Sequence, residues 1–184
     1  HNMVDKTEHE LTGQDGKIEG TVSIGCGDLK AVEELAELIR TFHEQYPLVT
    51  FDLYTASADY VRDRMDRGLT DIGLLLEPVD LGKYDYIRMA GEERCVVTMH
   101  PDAPLHVLFT SNLPSSSLIM SNHHLAYSMN ICGSISCWDK TKITYRPLRP
   151  GLTATCALAW KRQQPFGAAA EKFISHVKER IHHS

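Results

Sequence analysis

Polar and apolar residues alternate with a period of two over Thr21-Val22-Ser23-Ile24-Gly25, just after Gly20. That pattern predicts a half-buried strand. A turn at Cys26-Gly27-Asp28-Leu29 follows. From 30 to 46 the period becomes helical, with Val32, Leu35, Ile39, Phe42 and Tyr46 at steps of three and four. Ala31 and Leu38 widen the apolar surface to a second side, as in a helix that packs on its own sheet and on another body. Pro47 stops the helix. Residues 49–55 predict a second strand, with Phe51, Leu53 and Thr55 on one side and Asp52 and Tyr54 on the other. Ser57 is an N-cap residue type. It precedes a helix with Ala58, Val61 and Met65 as its buried stripe, ended by Gly68. Residues 72–76 form a short apolar run, as in a strand buried on both faces. The first half therefore predicts β-α-β-α-β, a parallel sheet with right-handed crossovers.

The rest of the chain is less regular. Residues 94–99 predict a strand ended by His100-Pro101. The stretch 103–140 holds Pro104, Pro114 and Ser115-Ser116-Ser117 and has no clean period, so no element is assigned there. Residues 143–148 and 153–160 predict strands, and Pro165 and Phe166 open a last helix with Ala170, Phe173, Val177 and Ile181 on one side. Residues 4–17 are polar and fit a frayed helix end or a linker, and His1-Asn2 before Met3 fits a cloning remnant. No internal repeat is present.

Composition narrows the function. The 184 residues carry a formal net charge of −5, 42% hydrophobic and 23% charged residues. The mildly acidic balance makes the chain by itself a poor binder of nucleic acid. No apolar run has the roughly 18 residues of a membrane span. The polar start resembles no targeting signal, and the five cysteines, an odd and scattered set, fit reduced thiols in a cytoplasmic protein. Cys132 and Cys137 stand five apart without zinc spacing, and His123-His124 and His182-His183 fit solvated loops, so neither a metal nor a cofactor is expected. There is no GxSxG, P-loop, GxGxxG or HExxH motif, and no catalytic residue is assigned. Cys26 is the sharpest candidate nucleophile, placed between a strand and a helix start, but no histidine is set as its base; the alternative is a small pocket-wall residue. Glu77 and Asp80 fit solvated loop carboxylates better than an acid pair.

Open parallel sheets bind ligands beyond the carboxyl ends of their strands, beside helix N-termini. Here those ends are Cys26-Gly27-Asp28 and Ala56-Ser57. Both loops lead into helices, so their N–H groups and the Ser57 hydroxyl suit a small anion. Ser57 as a simple helix cap is the competing reading, and both can hold.

Several stretches together resemble the effector-binding domain of LysR-type transcriptional regulators. They are Gly20-Thr-Val-Ser-Ile-Gly25, Phe42-His-Glu-Gln-Tyr-Pro47, Val49-Thr-Phe-Asp-Leu53, Val61-Arg-Asp-Arg-Met65, Gly68-Leu-Thr-Asp-Ile-Gly73, Tyr145-Arg-Pro-Leu148, Ala159-Trp-Lys-Arg162 and Ala169-Ala-Glu-Lys-Phe173. The resemblance covers 4 to about 102 and 143 to 182. It implies an α/β, type 2 periplasmic-binding-protein-like fold: two lobes with mostly parallel sheets, joined by two crossover strands at 94–99 and 155–160. Residues 1–19 would be linker or remnant, 20–97 plus 160–184 the first lobe, and 98–159 the second. Cys26, Gly27, Asp28 and Ser57 would line the cleft, where a small effector binds. A homodimer or homotetramer is implied, with Val32, Leu35, Leu38, Phe51 and Leu53 at the dimer interface.

Two departures stand out. The family's N-terminal winged helix-turn-helix is absent, so DNA contact would come only through that missing part. The second lobe is some tens of residues short, either truncated or with residues left out of this numbering, so its pocket residues do not carry over. The leading expectation is a ligand-sensing regulatory domain. A transport solute-binding protein on the same fold is the alternative, and a thiol hydrolase using Cys26 is a third class.

Overall fold

The computed structural model describes residues 18–99, 111, 114–125, 127–135 and 138–181. The expected linker at 4–17, the stop at His100-Pro101, Pro104, Cys137 and His182-His183 lie outside them. The first half follows the hydrophobic pattern closely. It runs β1 (Gly20–Cys26), α1 (Val32–Gln45), β2 (Val49–Thr55), α2 (Ala58–Asp66) and β3 (Ile72–Leu76). β1 pairs in parallel with β2 and with β3, the geometry that βαβ crossovers impose.

β4 (Tyr84–Met99) begins ten residues before the strand expected at 94–99. The stretch left unassigned holds α3 (Pro114–Asn122), β5 (Ser128–Ile131) and a 3₁₀ turn (Gly133–Ile135). β6 (Thr144–Pro147), β7 (Thr153–Lys161) and α4 (Ala168–Ile181) complete the chain. The sheet order is β2-β1-β3-β7-β4-β5, with β6 also on β4. Among the described residues, parallel pairing is confined to β1, β2 and β3; β3–β7, β4–β7, β4–β5 and β4–β6 are antiparallel. The sheet is thus more mixed than its opening pattern implies. β7 pairs with the Tyr84–Arg94 part of β4, with a bulge between Arg88 and Glu92, and β4 then runs on to pair with β5 and β6, carrying the sheet from the β1–β3 region into the α3–β5–β6 region.

The main core sits between the β1–β3 sheet, α1 and α4. Phe42 of α1, Phe51 of β2 and Phe173 of α4 meet edge to face, with ring centroids 5.1 Å (Phe42–Phe173), 5.2 Å (Phe51–Phe173) and 6.1 Å (Phe42–Phe51) apart. On the other face α2 lies close to the backbone. A Cβ on Gly25 would come 2.6 Å from Val61 Cγ1, and one on Gly73 would come 2.4 Å from Met65 Sδ. Those two positions need glycine for the helix to approach. Asp71, the acid of the Gly68-Leu-Thr-Asp-Ile-Gly73 stretch, accepts hydrogen bonds on Oδ2 from Ser23 N and Ser23 Oγ, both at 2.9 Å. This buried carboxylate pins the start of β3 to β1.

Candidate cleft at the ends of the parallel strands

The two loops singled out in the sequence lie side by side. Ala56 N donates to Cys26 O at 3.0 Å, and a Cβ on Gly27 would stand 3.5 Å from Ala56 O. Parallel register, which aligns Cys26 with Thr55, brings them together. Asp28 is exposed, Gly27 and Ser57 are half-buried and Cys26 is buried. Ser57 has extended dihedrals (φ −67°, ψ 158°) and makes no side-chain bond to its own helix. Its hydroxyl therefore stands at the start of α2 without acting as a cap, which answers the competing reading raised by the sequence.

Cys26 does not fit the role of nucleophile. Burial pushes its thiol above the ordinary value of 9.0, against a hydrogen bond with Thr55, and the Asp28 carboxylate adds to the rise. A protonated thiol at neutral pH belongs in a wall. Cys156 on β7 is pushed further, to about 12, by burial and by the carboxylates of Glu93, Glu77 and Glu34.

Those carboxylates were not singled out by sequence, apart from Glu77, and each is engaged. Glu34 Oε2 accepts from Ala90 N at 3.0 Å. Glu77 takes a two-point bond from Arg88, 3.0 Å at each oxygen, and a bond from the Thr155 hydroxyl. Arg88 first, and Thr155 next, hold the Glu77 carboxyl below the ordinary range. Glu77 is thus a paired carboxylate, while Asp80 Oδ1 only accepts from Gly82 N within its own turn. Glu93 is 1% exposed and reaches the start of α1, where Oε1 accepts from Lys30 N and from Ala31 N (3.3 Å); Oε2 accepts from Gly133 N at 3.2 Å. Glu93 sits between Glu92 and Arg94, both exposed, and nothing in the sequence separates it from them.

The residues expected on a dimer surface divide. Leu35 and Leu38 are 1% and 6% exposed and pack inside the chain, because the sheet and α4 cover both apolar sides of α1. The reading of a second, outward face is corrected for those two. Val32 and Phe51 are half-buried, and Leu53 is 54% exposed on the edge strand β2.

Two grooves lie elsewhere, and neither is lined by the cleft loops. One of about 360 Å³ runs past Tyr86, Trp160, Arg162 and Lys178, and one of about 280 Å³ runs between Arg62, Asp63, Asp66 and Lys83. Trp160 pairs with Ile72, the first residue of β3, so the first groove lies at the end of the sheet opposite the cleft loops. Among the described residues, no group of three His, Cys, Asp or Glu side chains is set to hold a metal, and no helix is long and apolar enough to cross a membrane.

A parallel β1–β3 unit joined through β7 and the long β4 to a further α/β region is a mixed α/β arrangement of the type 2 periplasmic-binding-protein-like fold. The chain belongs to the family of the LysR substrate binding domain, whose model matches residues 15–120. Its fold is similar to a mutant OxyR regulatory domain from Pseudomonas aeruginosa, with a TM-score of 0.65 at 17% identity over 88% of this chain and 98% of that one. It is also similar to full-length CbnR in complex with its target DNA, with a TM-score of 0.62 at 12% identity over 87% of this chain and 70% of that one. In sequence it is 24% identical over 102 residues to the uncharacterized HTH-type transcriptional regulator YvbU of Bacillus subtilis (strain 168), covering 55% of this chain and 34% of that protein. It is 32% identical over 80 residues to the HTH-type transcriptional regulator GbpR of Azospirillum brasilense, covering 42% and 23%. The matched stretch thus spans about a third of the first of these curated relatives and about a quarter of the second.

Proposed function

We propose that the chain senses a small anionic effector on behalf of a LysR-type, DNA-binding transcriptional regulator. The effector's acid group binds where the 26–28 and 56–57 loops meet, taking N–H donors from the first turn of α2 and the Ser57 hydroxyl. The helix dipole adds a favourable field for the negative charge. Binding changes the angle between a first lobe, 20–97 plus 160–184, and a second, 98–159, because the effector has different affinities for the two arrangements. DNA is contacted by an N-terminal winged helix-turn-helix of the whole regulator, in the cytoplasm. Copies pair through Val32, Phe51 and Leu53 on α1 and the β2 edge. The chain itself performs no catalysis.

One observation carries this reading: in a chain of this family, the Ser57 hydroxyl stands at a helix start beside the Cys26–Asp28 loop without capping that helix. The test is a thermal-shift screen of the chain against small organic acids and their uncharged amides. An effector that binds only the folded state raises the unfolding midpoint in a concentration-dependent way. The expected result is a rise with at least one acid, none with its amide, and loss of the rise in Ser57→Ala. Equal response to acid and amide, or no response across a broad panel, overturns the reading.

A further inference from the structure

Three polypeptide segments that are distant in sequence meet on one side chain. Glu93 lies on β4, Lys30 and Ala31 open α1, and Gly133 opens the 3₁₀ turn after β5. The carboxylate accepts from all three backbone N–H groups while only 1% exposed. The helix start and the turn are also in direct contact. A Cβ on Gly133 would stand 2.1 Å from Lys30 N and 2.8 Å from the Leu29 carbonyl carbon, both of them backbone. Only glycine lets the turn come so near, and the carboxylate occupies the space between them. Ala31, the N-cap position of α1, provides no side-chain bond of its own. The positive end of this helix is therefore satisfied from a distant strand, by a full negative charge.

We propose that the Glu93 carboxylate is a built-in anion that locks the Gly133 turn onto the start of α1. In doing so it reserves the α2 start, with Ser57, for the effector's acid group; this clause rests on the effector-binding reading above. The sequence alone offers both helix starts as anion sites. With Glu93 in place, the α1 start is filled by the protein's own carboxylate. Glu93 is then a positioning residue: it fixes how the region after β4 sits against α1, and it limits where an acid can bind.

The test uses two variants of the whole chain and sodium formate as a stand-in for the side-chain carboxylate. Glu93→Ala removes the anion and leaves room for formate. The expected result is a lowered unfolding midpoint that formate restores with a saturating dependence, while sodium chloride at equal ionic strength does not. Formate should raise the midpoint of the unmodified chain less than that of Glu93→Ala, because only the α2 start is open to an acid there. Glu93→Gln keeps one acceptor and sets an amide N–H₂ against an N–H, so it remains testable even if Glu93→Ala does not fold. Its expected signature is amide hydrogen exchange at Gly133 or Lys30 faster by about tenfold or more, with β1 and β3 amides unchanged. The lock is overturned if folded Glu93→Ala responds to formate no more than to chloride, or if Glu93→Gln leaves both amides as protected as before. A flat acid panel on the unmodified chain, with formate rescue intact, removes the effector reading and leaves the lock standing.

Discussion

The region built on β1, β2 and β3 and the region beyond Arg94 are made of different material. The first buries a continuous apolar cluster that includes Ile24, Leu35, Phe42, Leu74, Leu158 and Phe173, all at 1% exposure or less. Among the described residues, the second has a core cluster of Val96, Leu118, Ile135 and Ile143. Around that small core, hydroxyls take over. Ser117 Oγ donates to Pro114 O at 2.8 Å, Ser121 Oγ to Ser117 O at 2.9 Å, and Ser134 Oγ to Ile131 O at 2.8 Å. Hydrogen bonds of this kind satisfy buried polar groups but add little net stability, about 1 kcal/mol each, whereas buried apolar area drives folding. The first region should therefore act as the rigid frame, and the second as the part that opens at lower cost.

The largest effect should come from Phe173→Ala. That ring touches both Phe42 and Phe51, and its loss leaves a cavity where α4 meets the sheet. A cost of about 3–5 kcal/mol is expected in urea unfolding, read as a single cooperative transition. A cost below about 1 kcal/mol would mean that α4 is not part of the frame.

Leu118→Ala removes a fully buried side chain from the smaller core. Taken alone it should cost about 2–5 kcal/mol, but a region whose described core is this small opens locally before the frame does. Hydrogen exchange should accelerate across 114–122 and 128–135 while β1 and β3 keep their protection. If protection falls equally everywhere, the two regions unfold as one unit and the contrast fails.

Gly25→Ala probes the frame from its other face. The added Cβ would meet Val61 at 2.6, 3.2 and 3.3 Å, and the branched Val61 has few ways to move aside. Overpacking of about 1–3 kcal/mol is expected, with α2 displaced from the sheet. Because α2 carries Ser57 at its start, the acid-dependent thermal shift should weaken along with stability. Unchanged stability would show that α2 is free to adjust.

The same contrast governs what was legible in the sequence. Val49–Thr55 and Ile72–Leu76 fall at the bounds read from the sequence, and Ile72–Leu76 is buried as its apolar run implies, whereas Leu53 and Thr55 on the edge strand β2 are exposed. α3 was unreadable because Ser115, Ser116, Ser117 and Ser121 supply half of its first eight residues, and a helix held by hydroxyl bonds and Leu118 has no apolar stripe. The first ten residues of β4 were missed because Asp85, Arg88, Glu92 and Glu93 break the alternation of a strand. The cleft loops followed from strand-end logic. Glu93 and Gly133 did not, since the contact spans 40 residues and rests on a backbone approach that no local pattern encodes.

The smallest predicted effect lies within the frame and depends on pH. His176 of α4 is 6% exposed, and its Nε2 is 2.9 Å from Thr41 Oγ1 on α1. Burial lowers its pKa below the ordinary 6.5, and the nearby Arg180 adds repulsion; Glu179 opposes both. The unfolded chain then takes up the proton at a higher pH than the folded one does. Stability is therefore complete above the unfolded value and is lost as pH falls through 6.5 toward the folded value. The lowered Glu77 carboxyl acts in the same direction, but its contribution is lost only as pH falls below 4.5, so the two windows separate. Unfolding midpoints measured from pH ~7.5 down to ~5.5 should decline for the unmodified chain. In His176→Gln, which can keep a bond to the Thr41 hydroxyl without titrating, the decline should be shallower. Parallel curves for the two proteins would show that protonation of His176 does not loosen the α1–α4 contact and that other groups set the pH response.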